Sequence, residues 1–587
     1  MALTQVITLL VVLFLVFSLY KEWFNPSLSF FISAMVLMVA NVITPQDLLK
    51  GLSNQQIIII FLLVLVTAGL RTIYGNEIFA KLFNKNLPPK KFLLRMMLVV
   101  SSVSAFLNNT PIVAFMIPYV KDWAEKTGNS SSKFLIPLSF ATILGGMITV
   151  IGTSTNLVLN GLVAEYNLPL LAFTDFLYLG IIVTIVGCFY LYFIGFKLLP
   201  SHEENIDTVR QNLKEYIVET SIYQGSPLIG KTVRDAGLRS LQDTFLVEIL
   251  RDDEIISPVA PDEILEENDL LFFSGNTDSI YNLIREDNGL SIPKQDNLEK
   301  RGQFNFIEAV VSSGSDLIGV RIKDSDFRNR FNASIVAIHR DGKRVSGKVG
   351  EMHLAGGDFL LLLAGDHVTN ATGYKDLFFL SVPQKITATK PRWYPWAGAV
   401  AFAILLIGIT GIMPLFTVCL ILLTAMVFLR LLNIIEIKRN LDLGLLVVLV
   451  CSLAIGVALE KSGTAQLIAT GLIYTVKSLG PIAVLSTLFV VTIILTSLIT
   501  NAAAVSIMFP IAMSMAEQLT LPYVPFFVAI AFAASGDFMT PIGYQTNLMV
   551  YGPGGYSFRD FVKVGAPLTL IYVVICITFI SIYYNIY

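Results

Sequence analysis

Ser104-Ala-Phe-Leu-Asn108-Asn109-Thr110-Pro111-Ile-Val-Ala-Phe-Met116-Ile-Pro118 breaks an apolar run that has no basic residue from Met96 to Val120. A continuous membrane helix has no use for such a break, because amides, hydroxyls and prolines without an N–H leave polar groups in hydrocarbon unless something satisfies them. Irregular backbone at membrane depth is tolerated where it lines a buried or watery cavity. The stretch therefore predicts a re-entrant hairpin over 92–120 at a substrate site.

The pattern returns as Thr496-Ser-Leu-Ile-Thr500-Asn501-Ala502-Ala-Ala-Val-Ser-Ile-Met508-Phe-Pro510, at a constant offset of 392. Asn501 stands for Asn109, Met508 for Met116, Pro510 for Pro118 and Thr496 for Ser104. A second pair follows: Gly145-Gly-Met-Ile-Thr149-Val-Ile151-Gly152-Thr-Ser-Thr155-Asn156-Leu157 against Gly536-Asp-Phe-Met-Thr540-Pro-Ile542-Gly543-Tyr-Gln-Thr546-Asn547-Leu548, at offset 391. Seven identities in this second pair indicate an internal repeat.

The 587 residues are 54% hydrophobic and 14% charged, with a mean hydropathy of +0.70. That exceeds what a soluble core needs, and several runs approach the roughly 20 residues that cross a bilayer. The net charge of -2 averages two unlike regions and says little about partners. Cys188, Cys419, Cys451 and Cys576 lie in apolar runs without metal-ligand or disulfide spacing. Met1 to Tyr20 lacks the basic start and A-x-A site of a signal peptide and is taken as a span.

Spans are expected at about 2–20, 27–45, 54–72, 134–160 and 174–198 in the first half. In the second half they are expected at about 393–411, 413–431, 442–460, 523–551 and 562–585, with a hairpin over 480–518. The expected fold class is an all-α polytopic membrane protein built from an inverted repeat, with five spans and one hairpin per half. The repeats occupy residues 1–200 and 389–587.

Arg71, Lys81, Lys85, Lys90, Lys91 and Arg95 put the loop after the third span inside the cell. Alternating spans then place Lys121, Lys126, Lys133, Lys197, Arg430, Lys438, Arg439, Arg559 and Lys563 inside as well, with Lys50, Lys461 and Lys477 as exceptions outside. Five crossings separate Asn109 from Asn501. The second copy is inverted, so the two hairpins enter from opposite faces and can meet near the midplane.

Between Pro200 and about Thr387, charged residues, glycine turns and β-patterned runs such as Thr244-Phe-Leu-Val-Glu-Ile-Leu250 and Ser334-Ile-Val-Ala-Ile-His339 replace the apolar segments. This insert repeats at an offset of 89, with Leu228-Ile-Gly230 on Leu317-Ile-Gly319, Arg251 on Arg340 and Asp269 on Asp358. Two small cytoplasmic α/β domains follow, at 201–300 and 301–388. His202, His339, His353 and His367 all fall in the insert without triad or metal spacing, so no catalytic role is expected and the chain is not read as an enzyme.

The Asn109 and Asn501 side chains suit a shared cavity. Their carbonyls can coordinate a hard cation, and their amides together with half-helix N-termini can hold an anion. Interhelical hydrogen bonding or helix capping is the competing role. Gly152 and Gly543, each followed by Thr-Asn, suit breaks in spanning helices whose freed carbonyls coordinate ions; close helix packing is the alternative. No basic residue occurs from Phe134 to Phe196 or from Ser478 to Phe558. An anion bound there would depend on co-bound cations and helix dipoles. Asp537, whose repeat counterpart is Gly146, is an intramembrane carboxylate with either a functional or a capping role.

The hairpin tips and glycine breaks resemble the divalent anion/sodium symporter family of the wider ion transporter superfamily, over nearly all of both membrane halves. The insert resembles two RCK_C (TrkA C-terminal) regulatory domains. The resemblance implies a scaffold that dimerises, a transport domain that moves as an elevator, and a small regulatory ligand on the RCK_C-like pair. It implies one sodium site from Ser104, Asn108, Asn109 and Gly152, and another from Thr496, Asn501 and Gly543. It also implies an anion site facing Asn109, Thr110, Asn501, Ala502, Thr155 and Thr546.

The family's Ser-Asn-Thr signature is only partly kept, as Asn108-Asn109-Thr110 and Thr500-Asn501-Ala502. Ala502 lacks the hydroxyl that would bind a second carboxylate, which favours sulfate over a dicarboxylate. Sodium, a small anion, membrane lipid and a second copy of the chain are the expected partners, with no nucleic acid polymer among them. An ion channel gated by the insert is the other class considered, but no filter-like TVGYG run occurs. An antiporter with Asp537 carrying protons is a third possibility.

Overall fold

The computed structural model describes residues 2–586 apart from stretches of five residues or fewer and the longer stretches 70–86, 202–216, 276–288, 292–305, 365–375 and 380–393. Arg71, Lys81, Lys85, Arg430, Lys438, Arg439, His202 and His367 lie outside the described residues. So do parts of the expected spans 54–72 and 393–411 and the residues at the expected junctions 300/301 and 388/389. The chain divides into a helical unit of Met1–Ser201, Thr387–Val550 and Phe558–Tyr587, and a second unit of His202–Ile386 with Tyr551–Ser557.

In the helical unit, apolar side chains pack inward and outward alike, as expected for helices whose solvent is hydrocarbon. Among the described residues, Leu3–Tyr20, Phe173–Leu198, Asn501–Leu519 and Phe558–Tyr583 are long and apolar enough to cross a membrane. Two bent pairs bring the count to six when each pair is taken as one span. Both expected hairpins are present as helical arms: Pro89–Ser104 with Asn109–Lys126, and Pro481–Thr496 with Asn501–Leu519. The arms of each pair pack together. In the first hairpin Phe92 and Trp123 stack at 3.8 Å between ring centroids, joining the open ends.

Pro118 and Pro510 lie inside the second arms at the same repeat position. Each removes one intrahelical hydrogen bond and so frees a carbonyl one turn back.

The expected spans 134–160 and 523–551 are each two helices. Leu135–Gly146 and Ser154–Glu165 flank the first break, and Tyr523–Ser535 and Gln545–Tyr551 flank the second. Two further helices stand where the sequence predicted connectors or span ends. Pro45–Ser53 starts at Thr44, which forms a capping box with Asp47. Thr464–Val476 is bent by 71° from Leu446–Lys461, and Gly463 turns the corner at a φ of +71°. Lys461, which the charge rule leaves outside, has its ammonium 2.7 Å from the buried carboxylate of Asp47.

The second unit holds two antiparallel sheets. Strands β1 (Ile217–Ile222), β2 (Thr244–Arg251), β3 (Glu254–Ile256), β4 (Leu270–Gly275) and β5 (Leu290–Ser291) take the order β3-β2-β4-β1-β5. Strands β6 (Phe306–Val311), β7 (Ala333–Arg340), β8 (Lys343–Arg344), β9 (Phe359–Ala364) and β10 (Leu377–Phe379) take the equivalent order β10-β6-β9-β7-β8. Each carries a β-bulge at the same place, between Leu246 and Glu248 in one and Ile335 and Ala337 in the other. In each sheet an arginine at the end of one strand grips a buried aspartate just before the neighbouring strand: Arg251 Nε lies 2.8 Å from Asp269, and Arg340 Nε 2.7 Å from Asp358. The hydrogen-bonded Asp269 makes Arg251 hold its proton more tightly. Val247, Phe272, Val336, Ala337, Leu361 and Leu363 form one apolar cluster drawn from both sheets.

Candidate functional site

Each hairpin tip is a short non-helical link between two apolar arms. The caps of the second arms, Asn108 and Thr500, have extended backbone and make no side-chain cap hydrogen bond. Both helix N-termini therefore keep N–H groups free of a side-chain cap.

Within the first tip, Ser104 Oγ is 2.6 Å from Asn109 Oδ1 and 2.7 Å from the carbonyl of Thr142. Within the second, Thr496 Oγ1 is 2.9 Å from Asn501 Oδ1 and 2.8 Å from the carbonyl of Ala534. Each hydroxyl has one proton for two acceptors, so a lone pair is left over in each clasp and faces a neighbouring oxygen. Such a surplus of acceptors is what a hard cation takes up.

The breaks lie against these clasps. A Cβ on Gly152 would come within 2.4 Å of the Gly146 carbonyl and 2.9 Å of the Ser104 carbonyl, so only glycine admits this approach. A Cβ on Gly543 would come within 2.8 Å of the Thr496 carbonyl and 2.0 Å of Asp537 Oδ2. Thr149 and Thr540 brace the two breaks alike, their Oγ1 atoms accepting from the N–H of Gly152 at 3.0 Å and of Gly543 at 3.2 Å. Asn156 and Asn547 close each loop by donating at 3.0 Å to the Thr149 and Thr540 carbonyls.

The halves meet side chain to side chain. Asn109 Nδ2 donates to Tyr544 Oη at 2.5 Å, and Thr110 Oγ1 to Gln545 Oε1 at 2.9 Å. Ser139 Oγ lies 2.7 Å from Asn547 Oδ1 and 2.9 Å from Thr546 Oγ1. Tyr544 is next in sequence to Gly543, so the asparagine of the first clasp reaches the break beside the second.

The structure thus gathers Ser104, Asn109 and Gly152 in one cluster and Thr496, Asn501 and Gly543 in another. Asn108 is exposed at its cap, while Thr110, Asn501, Ala502 and Gly543 are half-buried. Thr155 and Thr546 are buried, and their hydroxyls are held by Thr153 and Ser139 respectively. Sequence reasoning did not single out Thr149, Thr540, Ser139, Tyr544 or Gln545. The first two stood as an identity within the aligned breaks. The last two sit where the two breaks differ from each other.

A family described as citrate transporter matches the chain over residues 12–417 and 403–586. The chain belongs to the citrate transporter family. The match covers both hairpins and both breaks and makes this chain a secondary transporter of that anion permease family, with several apolar helices that fit a multi-pass membrane protein.

Among relatives of this citrate transporter family member, an uncharacterized transporter of Synechocystis is 33% identical over 96% of this chain and 95% of its own length. A Chlamydomonas reinhardtii chain named for the sulfur deprivation response is 32% identical over 94% of this chain and 97% of its own. Sodium/sulfate cotransporter 1 of the same alga is 23% identical over 96% of this chain and 88% of its own.

Proposed function

We propose that the chain is a sodium-coupled symporter of a small divalent anion, sulfate in the first instance. The observation that carries this reading is the repeated clasp: Ser104 with Asn109 and Thr496 with Asn501, each beside a glycine break and a helix N-terminus without a side-chain cap. Surplus acceptor oxygens suit a cation, and helix N-termini suit an anion. No lysine or arginine occurs from Phe134 to Phe196 or from Ser478 to Phe558. Bound cations then offset the anion's charge, which in low dielectric requires a partner.

In this reading Ser104, Asn108, Asn109 and Gly152 hold one sodium, and Thr496, Asn501 and Gly543 the other. Asn109, Thr110, Asn501, Ala502, Thr155 and Thr546 face the anion. The repeats are inverted in the membrane, and the hairpins with their breaks move in an elevator manner within a homodimer. Residues 201–388 act as a cytoplasmic RCK_C-like pair that binds a small ligand and biases the cycle. The names of the algal sodium/sulfate relatives support the choice of ions.

A sodium/dicarboxylate symporter is the second reading, favoured by the description of the matching family. Radiolabelled sulfate uptake into proteoliposomes, with and without an inward sodium gradient, tests the proposal. Sodium-driven uptake supports it and uptake indifferent to sodium removes it. Competition by succinate or citrate at sulfate's own concentration transfers the reading to carboxylates.

A further inference from the structure

Of the positions at which the two clusters differ, one changes the charge. Where the first half has Gly146, the second has Asp537. In the first cluster nothing larger fits, since a Cβ on Gly146 would lie 2.6 Å from Asn109 Oδ1. In the second a carboxylate stands at this position, 1% exposed. It accepts from neutral donors: Ser497 Oγ at 3.2 Å, Thr540 Oγ1 at 2.8 Å and Thr540 N at 3.4 Å. Among the described residues no basic side chain pairs with it, and the sequence offers none from Ser478 to Phe558. A buried carboxylate with hydrogen bonds but no counter-charge is costly, and a cation from outside the chain, a proton or a metal ion, offsets it.

The geometry provides a place for one. Asp537 Oδ2 and the Thr496 carbonyl oxygen converge on Gly543. Distances of 2.0 and 2.8 Å to its Cβ position cap their separation at about 4.8 Å. Two oxygens no farther apart than this are within reach of one hard cation at the roughly 2.3–2.6 Å such ions prefer. Asn501 Oδ1 is tied to the same residue, 2.9 Å from Thr496 Oγ1.

We infer that Asp537 is a charged ligand of the second cation site, which makes that site neutral when filled and leaves the all-neutral first site positive. The inference rests on the cation reading proposed above and deepens it. The two cations then have different tasks. The one at Asp537 balances the protein's own charge, and the one at Ser104 and Asn109 is left to offset the anion.

The test uses the full chain in detergent and reads thermal unfolding against sodium concentration, with choline holding ionic strength constant, so that it does not depend on transport. Wild type is expected to be stabilised by sodium. In Asp537→Asn, which keeps an oxygen at the same place without the charge, the sodium concentration for half-maximal stabilisation should rise about tenfold or more. In Ser497→Ala, which strips one neutral donor and leaves the charge, it should stay the same or fall. A merely structural carboxylate would move both variants in the same direction. Wild-type sodium dependence in Asp537→Asn, or no stabilisation of wild type by sodium, lithium or potassium, overturns the inference. Sodium-indifferent sulfate uptake alongside an Asp537-dependent sodium shift would remove symport and leave this site standing.

Discussion

The amide of Asn109 in the first hairpin donates to the hydroxyl of Tyr544 in the second break, 435 residues away and at 2.5 Å. Both side chains are buried, so removing the acceptor strands an N–H without access to water. Tyr544→Phe keeps the ring and deletes the acceptor, at a cost of about 1–3 kcal/mol. If this bond organises the site, initial rates of anion uptake into proteoliposomes fall about tenfold. Unchanged rates would make the bond incidental.

Gly152→Ala and Gly543→Ala should not be equally harmful. At Gly152 the new methyl meets two backbone carbonyls, at 2.4 and 2.9 Å, and neither can turn away. At Gly543 the nearer atom is a side-chain oxygen of Asp537 that can rotate, while the Thr496 carbonyl stands at 2.8 Å. Overpacking of this kind costs about 1–3 kcal/mol. Thermal midpoints of the detergent-solubilised chain should show Gly152→Ala the more destabilised, and equal midpoints would contradict the asymmetry.

Ser139 is the sole described hydroxyl that touches both Thr546 and Asn547, and Asn547 in turn holds the carbonyls of Asp537 and Thr540 at 2.9 and 3.0 Å. Ser139→Ala should lower the thermal midpoint of the detergent-solubilised chain by an amount equivalent to about 1–2 kcal/mol. A midpoint within error of wild type would show that the second break holds its shape without this tie.

In the second unit, Asp269 is fully buried against Arg251. Arg251→Met keeps the bulk of the side chain but leaves the carboxylate without its counter-charge, a change that costs several kcal/mol where the partner is buried and less here because Arg251 is partly exposed. Hydrogen exchange of the full chain should rise in β2 and β4. Protection there equal to wild type would mean that the pair contributes little.

The repeat was legible because each half uses the same polar residues to end a helix inside an otherwise apolar run. Ser104 with Asn109 and Gly152 recur as Thr496 with Asn501 and Gly543, so the tips and the breaks could be located by alignment of the chain with itself. The helix Thr464–Val476 was not legible. Its 13 residues are too few to span, and its terminus lies near Lys461, whose charge reads as a loop until Asp47 is seen 2.7 Å away. Tyr544 and Gln545 escaped for the opposite reason. They are the residues by which the second break departs from the first, and their partners Asn109 and Thr110 become neighbours only once the halves are folded together.

In both halves the tip hydroxyl reaches a carbonyl 38 residues onward, Ser104 to Thr142 and Thr496 to Ala534. Each tip is therefore buttoned to the helix that leads into its own break. The tip oxygens and the helix entering the break are thereby held at a fixed spacing, so the geometry of each cluster does not depend on the loops that lead to it.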